Sequence, residues 1–154
     1  MSAMITPELP NTPEAISLIA ELDAELSHYP SESRHGFSVE KLLAEDVAFF
    51  VARFDNLPAG CAGIKLVDQA YGEIKRMYVR PHVRGSGLAV ALLDHLAAYA
   101  RAHGISRLRL ETGIHQHAAI RLYERMGFYR IPPFGPYTND PVSLCYEKRL
   151  TSQG

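Results

Sequence analysis

Two glycines one residue apart, Gly85 and Gly87, stand between Arg84 and an Ala/Leu-rich run that begins at Leu88, in the sequence VRPHVRGSGLAVALLDHL. Glycine lets a backbone come close to a bulky ligand, and a helix opening just after it presents unpaired N–H groups at the positive end of its dipole. The combination suits a phosphate or pyrophosphate. Two glycines alone would equally ease a tight turn from strand to helix. No Gly-Lys-Ser or Gly-Lys-Thr follows, and no further glycine stands three residues beyond Gly87, which argues against a Walker loop or a dinucleotide fingerprint.

Other reactive side chains are few. Cys61 in AGCAGI and Cys145 in SLCYEK sit in strand-like apolar sequence without a CxxC partner or a neighbouring histidine, so they read as small buried hydrophobes. His115 and His117 are two apart at a helix start, point to different sides and lack an acidic third ligand; no metal is expected. A net charge of -1 gives no general attraction to nucleic acid or an anionic membrane, so a polyanion has to be met by a local device. No apolar run approaches about 20 residues. The opening MSAMITPELPNTPEA has no basic stretch followed by an apolar core, and the expectation is a cytoplasmic protein.

With 47% hydrophobic and 21% charged residues, the 154-residue chain fits one domain with its own core. Thr12 and Pro13 open an amphipathic helix to about His28, with Ile16, Ile19, Leu22 and Leu26 as its stripe. Ser38 caps a short helix through about Ala44, after the polar loop YPSESRHGF, which is placed to face a substrate. Three strands follow at about 47–54, 59–67 and 71–79, and the short turns DNLP and DQAYG imply an antiparallel meander. A helix from Gly85 to about His103 carries Leu88, Leu92, Leu96 and Tyr99 on one stripe and stops at Gly104. SRLRLET is a strand, HAAIRLYERM a helix ending at Gly127, and VSLCYEKRL a last strand. Strand, glycine loop, helix, strand is a crossover unit, so one parallel pair joins the meander. The fold class is therefore α/β, a mixed, mainly antiparallel sheet flanked by helices, with a weak strand before the first helix.

The glycine loop resembles the acyl-CoA signature of the GNAT N-acetyltransferase superfamily, Arg/Gln-x-x-Gly-x-Gly/Ala, matched by Arg84, Gly87 and Ala89. HAAIRLYERMGF resembles the family's late helix, in which Ala-Ile-x-x-Tyr precedes a Gly-Phe pair. The two landmarks stand in the family's order and at about its spacing, and the likeness spans residues 47–150. IPPFGPYTNDPVSLCYEKRL also looks like a bacterial branch that includes YsnE-like acetyltransferases. Where many members carry an Asn that contacts the cofactor arm, this chain has Gln116.

The resemblance implies one GNAT-like domain over residues 1–154, acetyl-CoA as cosubstrate without a metal, and acetyl transfer to a primary amine of a small molecule or peptide by direct attack on the thioester. It implies that GEIKRMYV bulges and lends backbone groups of Met77, Tyr78 and Val79 to the pantetheine arm. Arg84, Gly85, Ser86, Gly87, Leu88, Ala89 and Val90 would cradle the pyrophosphate, with a contact from Gln116. Glu73 resembles the general base of some members, the alternative being a charge paired with Lys75 or Arg76. Tyr123 stands where members protonate the leaving sulfur, the alternative being a core tyrosine in line with Ala119, Leu122 and Met126. Glu111 ends a strand and nothing in the pattern distinguishes it from an exposed carboxylate. The acceptor site would come from the N-terminal helices, SESRHGF and PPFGPYTND, and pairing as a homodimer is expected because members often pair. The rivals are a non-catalytic acyl-CoA sensor, which needs neither Tyr123 nor Glu73, and a structural dimer subunit, which leaves the glycine loop unexplained.

Overall fold

The structure, a computed structural model, describes residues 3–29 and 37–151. Of the loop YPSESRHGF, all but Tyr29 and Phe37 lies outside the described residues. A seven-stranded sheet runs in the order β1-β2-β3-β4-β5-β7-β6. β1 (Met4–Pro7), β2 (Ala48–Phe54), β3 (Leu57–Val67) and β4 (Tyr71–Val79) are antiparallel neighbours. β5 (Arg107–Gly113) is parallel to β4, as the crossover requires, and β6 (Tyr129–Ile131) and β7 (Ser143–Arg149) complete the far edge in antiparallel pairings. Among the described residues no helix is long and apolar enough to cross a membrane.

Successive strand residues point to opposite faces, and two cores result. Phe49 and Val51 share one with α1 (Pro13–Leu26) and α2 (Val39–Ala44); Phe50 and Ala52 share the other with α3 (Leu88–Ala102) and Tyr123 of α4 (His117–Arg125). Local signals start the helices as expected: Thr12 accepts from the Ala15 N–H and Ser38 from the Lys41 N–H. Asp55 and Asn56, both at positive φ, make the two-residue turn between β2 and β3. The stripe of α1 differs from its reading. Ile16 is 45% exposed, while Ala15, Leu18, Ile19 and Leu22 are buried. The apolar arc of this helix is wider than the surface it meets, and the small Ala15 occupies the edge nearest the sheet. The weak first strand is present as β1, whereas β6, three residues long, is too short to show a two-residue period.

β4 decides where the site lies. Its register against β3 slips between Cys61 and Gly63, and Arg76 in the slipped segment takes φ +54°. Such a backbone costs a non-glycine residue roughly 1–3 kcal/mol. It is held in place by α1, because the Arg76 guanidinium donates to Asp23 and to the Ile19 carbonyl, while the Cys61 thiol donates to the Arg76 carbonyl. The extra residue restarts the alternation. Ile74, Met77 and Val79 join the α3 core, whereas Lys75, Arg76 and Tyr78 turn to the side of α1 and Phe37. The β4–β5 ladder stops after Glu73 and Arg109, and the two strands part beyond it.

Gly60 of β3 faces this segment, and a Cβ there would stand 2.7 Å from the Tyr78 carbonyl. Gly60→Ala must displace the end of β4. Overpacking of this kind costs about 1–3 kcal/mol, which lowers the melting temperature of a domain this size by about 3–10 °C. An unchanged thermal melt would show that the strand end yields freely.

Candidate active site

Where β4 and β5 part, a cleft of about 480 Å3 opens. Its walls are the end of β4 (Met77, Tyr78, Val79), the loop (Arg84, Gly85, Gly87), the first turn of α3 (Leu88, Ala89, Val90) and the start of α4 (Gln116, Ala119, Leu122, Tyr123). Ser86 is outside this lining; it is exposed, and its N–H donates to the Val83 carbonyl at 3.3 Å.

Gly85 and Gly87 take φ +84° and +89°, and no atom lies within 4 Å of a Cβ placed on either. The left-handed backbone demands glycine there, not crowding, and the space above both is open. These two residues also delay the helix to Leu88, later than its expected start at Gly85. Gly87 caps α3 without a side-chain bond, and the first helical bond runs from the Ala91 N–H to the Gly87 carbonyl. The N–H groups of Leu88, Ala89 and Val90 are thus left without helical partners along the cleft wall. Arg84 ties the loop down through Nε to the Val79 carbonyl (2.9 Å) and Nη2 to Glu25 (2.7 Å).

The backbone of β4 contributes by its direction. The Arg80 N–H donates to the Ala59 carbonyl at 2.8 Å, so Arg80 and Ala59 form a hydrogen-bonded pair of the antiparallel ladder. Tyr78 then turns its N–H and C=O to β3 as well, and Met77 and Val79 turn theirs to the gap left by β5. Of the three expected contributors, Met77 and Val79 present open backbone groups. The Tyr78 hydroxyl donates to Glu21 at 3.1 Å. Arg80 is half-buried and bonds the same Glu21 through Nε and Nη2.

A second hollow, of about 110 Å3, shares Leu22, Met77, Gln116 and Tyr123 with the cleft. Lys75 and Arg76 form one wall, Glu111 and Thr112 another, and Phe37 and Tyr137 lie across it. Phe37 belongs to SESRHGF and Tyr137 to PPFGPYTND, so both expected segments reach this chamber. Behind it is a buried network: the Tyr137 hydroxyl donates to Glu73 Oε2 at 2.6 Å, and Lys75 Nζ stands 2.8 Å from the same oxygen and 2.9 Å from that hydroxyl. Burial first, and the Glu73 carboxylate second, push the Tyr137 hydroxyl far above its ordinary pKa, so it keeps its proton. Glu73 itself lines neither hollow. It pairs with Lys75, whereas Glu111 reaches the chamber and accepts from the Ser143 hydroxyl at 2.7 Å.

Tyr123 stands where the two hollows join. Its ring packs edge-on to Phe128 with centroids 5.7 Å apart, and burial pushes its hydroxyl up to about 12. It is therefore both a packed residue and a protonated donor at the cleft. Cys61, buried and pushed up to about 12, and Cys145, raised by burial, line neither hollow. His115 and His117 are exposed.

A family model described as "Acetyltransferase (GNAT) family" matches residues 15–128. The chain belongs to the GNAT family of acetyltransferases. It is 43% identical to an IAA acetyltransferase of Azospirillum brasilense over 95% of this chain and 97% of that protein. With the uncharacterized N-acetyltransferase YsnE of Bacillus subtilis it shares 35% identity, over 89% of this chain and 93% of that one. A Klebsiella pneumoniae structure assigned to the acyl-CoA N-acyltransferases superposes with a TM-score of 0.82 at 39% identity, covering 97% of this chain and 98% of that one. A GNAT acetyltransferase of Elizabethkingia anophelis, solved with acetyl-CoA bound, shares the fold at a TM-score of 0.73 and 19% identity, covering 96% and 98%.

Lys75 and Arg76 as chamber walls, and Tyr137 behind them, escaped the sequence reading. Nothing local marks Arg76 as the bulged residue of this GNAT strand, since its positive φ rests on a bond to α1 more than 50 positions away. Tyr137 was visible only as a lone tyrosine in a Pro/Gly loop; its partner Glu73 lies 64 positions back.

Proposed function

We propose that the protein is an acetyl-CoA-dependent N-acetyltransferase that moves the acetyl group to the primary amine of a small molecule by direct attack on the thioester. The meeting of two hollows at Met77, Gln116 and Tyr123 carries this reading: a long cleft that begins at an anion-binding loop, and a small charged chamber beside it. The unpaired N–H groups of Leu88, Ala89 and Val90, at the positive end of a 15-residue helix, suit a pyrophosphate. The open backbone of Met77 and Val79 suits the amide-bearing arm of CoA. The acetyltransferase names of the Azospirillum and Bacillus relatives, and the acetyl-CoA held by the Elizabethkingia protein, support the same reading. A sensor that only bound acyl-CoA would have no use for the inner chamber.

The amine reaches the chamber as an ammonium and must lose a proton before it attacks. Glu111, on the chamber wall, takes that proton, and Glu73, one layer behind, holds Lys75 and Tyr137 in place. The amine nitrogen then bonds to the thioester carbon while the N–H groups of Met77 and Val79 stabilise the developing oxyanion, having been fixed before the reaction. As the C–S bond breaks, Tyr123 gives its proton to the departing sulfur, the second proton lost by the attacking nitrogen restores the Tyr123 phenol, and the proton held by Glu111 passes to solvent. The products are the N-acetylated amine and CoA as a thiol.

Gly87→Glu places a carboxylate on the open side of the loop, where it meets the pyrophosphate with like charge. Calorimetry should show acetyl-CoA affinity falling at least about 10-fold, since a charge-assisted bond is worth about 1.5–3 kcal/mol; unchanged affinity in the folded variant would remove the loop from the site. Exchange of carboxylate for amide separates the two acids. Glu111→Gln should depress kcat/KM most at low pH, where the amine is chiefly ammonium, and Glu73→Gln should act on KM with little change in the shape of the profile. An unaltered profile in Glu111→Gln would place the base elsewhere.

Tyr123→Phe keeps the ring beside Phe128 and deletes the proton. A positioned acid contributes about 100- to 10,000-fold in rate, whereas one buried hydroxyl partner contributes about 1 kcal/mol to stability. The variant should melt within a few degrees of the parent and bind acetyl-CoA, yet turn over far more slowly. Because burial pushes the hydroxyl up to about 12, the proton is in place throughout the neutral range and is lost only as pH climbs towards that value. The parent kcat should therefore show no alkaline limb from this group below about pH 11, and normal turnover in Tyr123→Phe would reduce it to a core residue.

A further inference from the structure

The inner chamber has its charges sorted by strand. Lys75 and Arg76 are consecutive, yet both reach it, because the bulge suspends the alternation that would have sent them to opposite faces. Each is more than nine-tenths buried. Glu111, on β5, lines the same chamber. Among the described residues, the buried Nε N–H of Arg76 has no hydrogen-bond partner. A buried guanidinium with an unused donor is a costly arrangement unless an acceptor arrives. Beside it, the Lys75 ammonium is held by Glu73 and the Tyr137 hydroxyl and lies over the face of the Phe37 ring, 4.0 Å from its centroid.

We propose that the acceptor is a small amino acid in the broad sense, a primary amine with a carboxylate a few bonds away, and that Lys75 and Arg76 bind the carboxylate while Glu111 meets the ammonium. The proposal rests on the acetyltransferase reading above. Glu73 and Asp23 offset the charge of the two cations, so the chamber does not attract anions indiscriminately; it offers directed donors, and charge-assisted bonds to a carboxylate are the strong kind. A polyamine would bring further positive charge against two buried cations. The volume, about 110 Å3, is roughly that of four molecules of liquid water, which suits the charged end of a small molecule better than a folded chain. On the other side, Tyr123 and Gln116 open to the cleft, so an amine held by Glu111 faces the thioester.

The test measures thiol release from acetyl-CoA with the common free amino acids, their carboxamides, and amines without a carboxylate such as ethylamine, putrescine and spermidine. The best amino acid should exceed its own carboxamide in kcat/KM by about 10- to 100-fold, the worth of a charge-assisted bond. That ratio should collapse in Lys75→Met and return in part in Lys75→Arg. If the first variant does not fold, the parent's ratio alone decides. Carboxamides or plain amines that match the amino acids, or no transfer to any amino acid by protein that binds acetyl-CoA, overturn the proposal and leave the acetyltransferase reading standing. Failure to bind acetyl-CoA overturns both.

Discussion

One residue, Arg76, holds a left-handed backbone in the middle of a β-strand, and the site is organised around that constraint. Left-handed geometry is unfavourable for arginine by roughly 1–3 kcal/mol. It persists because the side chain reaches Asp23 and the Ile19 carbonyl on α1, so the helix supplies the energy that bends the strand. Three consequences follow from the same turn of the chain. β4 leaves β5 after Glu73, which opens the cleft. Met77 and Val79 face that opening with free backbone groups. Lys75 and Arg76 come to lie side by side in the chamber beyond it. A straight β4 would have continued the ladder and filled the space.

Stability is a poor explanation for the polar groups gathered here. Burying a lysine and a glutamate together commonly contributes little or nothing over well-packed apolar residues, because desolvation offsets the attraction. Yet Lys75 and Glu73 are both more than nine-tenths buried, and the Tyr137 hydroxyl bonds to each of them. The fold already has two apolar cores, one on each face of the sheet. What the network does provide is rigidity: three side chains whose directions are fixed by one another beside the chamber.

Legibility from the sequence followed the physical range of each signal. Helix starts at Thr12 and Ser38, the meander, the crossover and its parallel pair are written in short stretches, and the structure has all of them. So is the glycine loop, because the left-handed backbone at positions 85 and 87 selects its residue type directly. Ile16 misled because periodicity defines an apolar arc, while packing chooses which part of it is covered. Glu73 stands out in the sequence through the family likeness, but its burial beside Lys75 depends on a loop more than 60 positions downstream. The bulge itself has no glycine to announce it. Only the family likeness pointed to it.

The two halves of the site differ in what they are made of, and this separates what can be read from what cannot. The cofactor half is built largely of main chain: N–H groups at the start of α3, the backbone of Met77 and Val79, and two glycines. Backbone geometry tolerates many side chains around it, so it can be held constant across chains that agree at few other positions, as the shared fold at 19% identity illustrates. The chamber, the proposed acceptor half, is built of side chains drawn from α1, Phe37, β4, β5 and the loop carrying Tyr137, each free to change singly. A substitution at Lys75 or Tyr137 would alter the chamber while leaving the loop, the cleft and Tyr123 intact. On the proposed assignment, acceptor choice is governed by whichever charges the bulge of β4 turns into the chamber, and it can change without altering the chemistry at the sulfur.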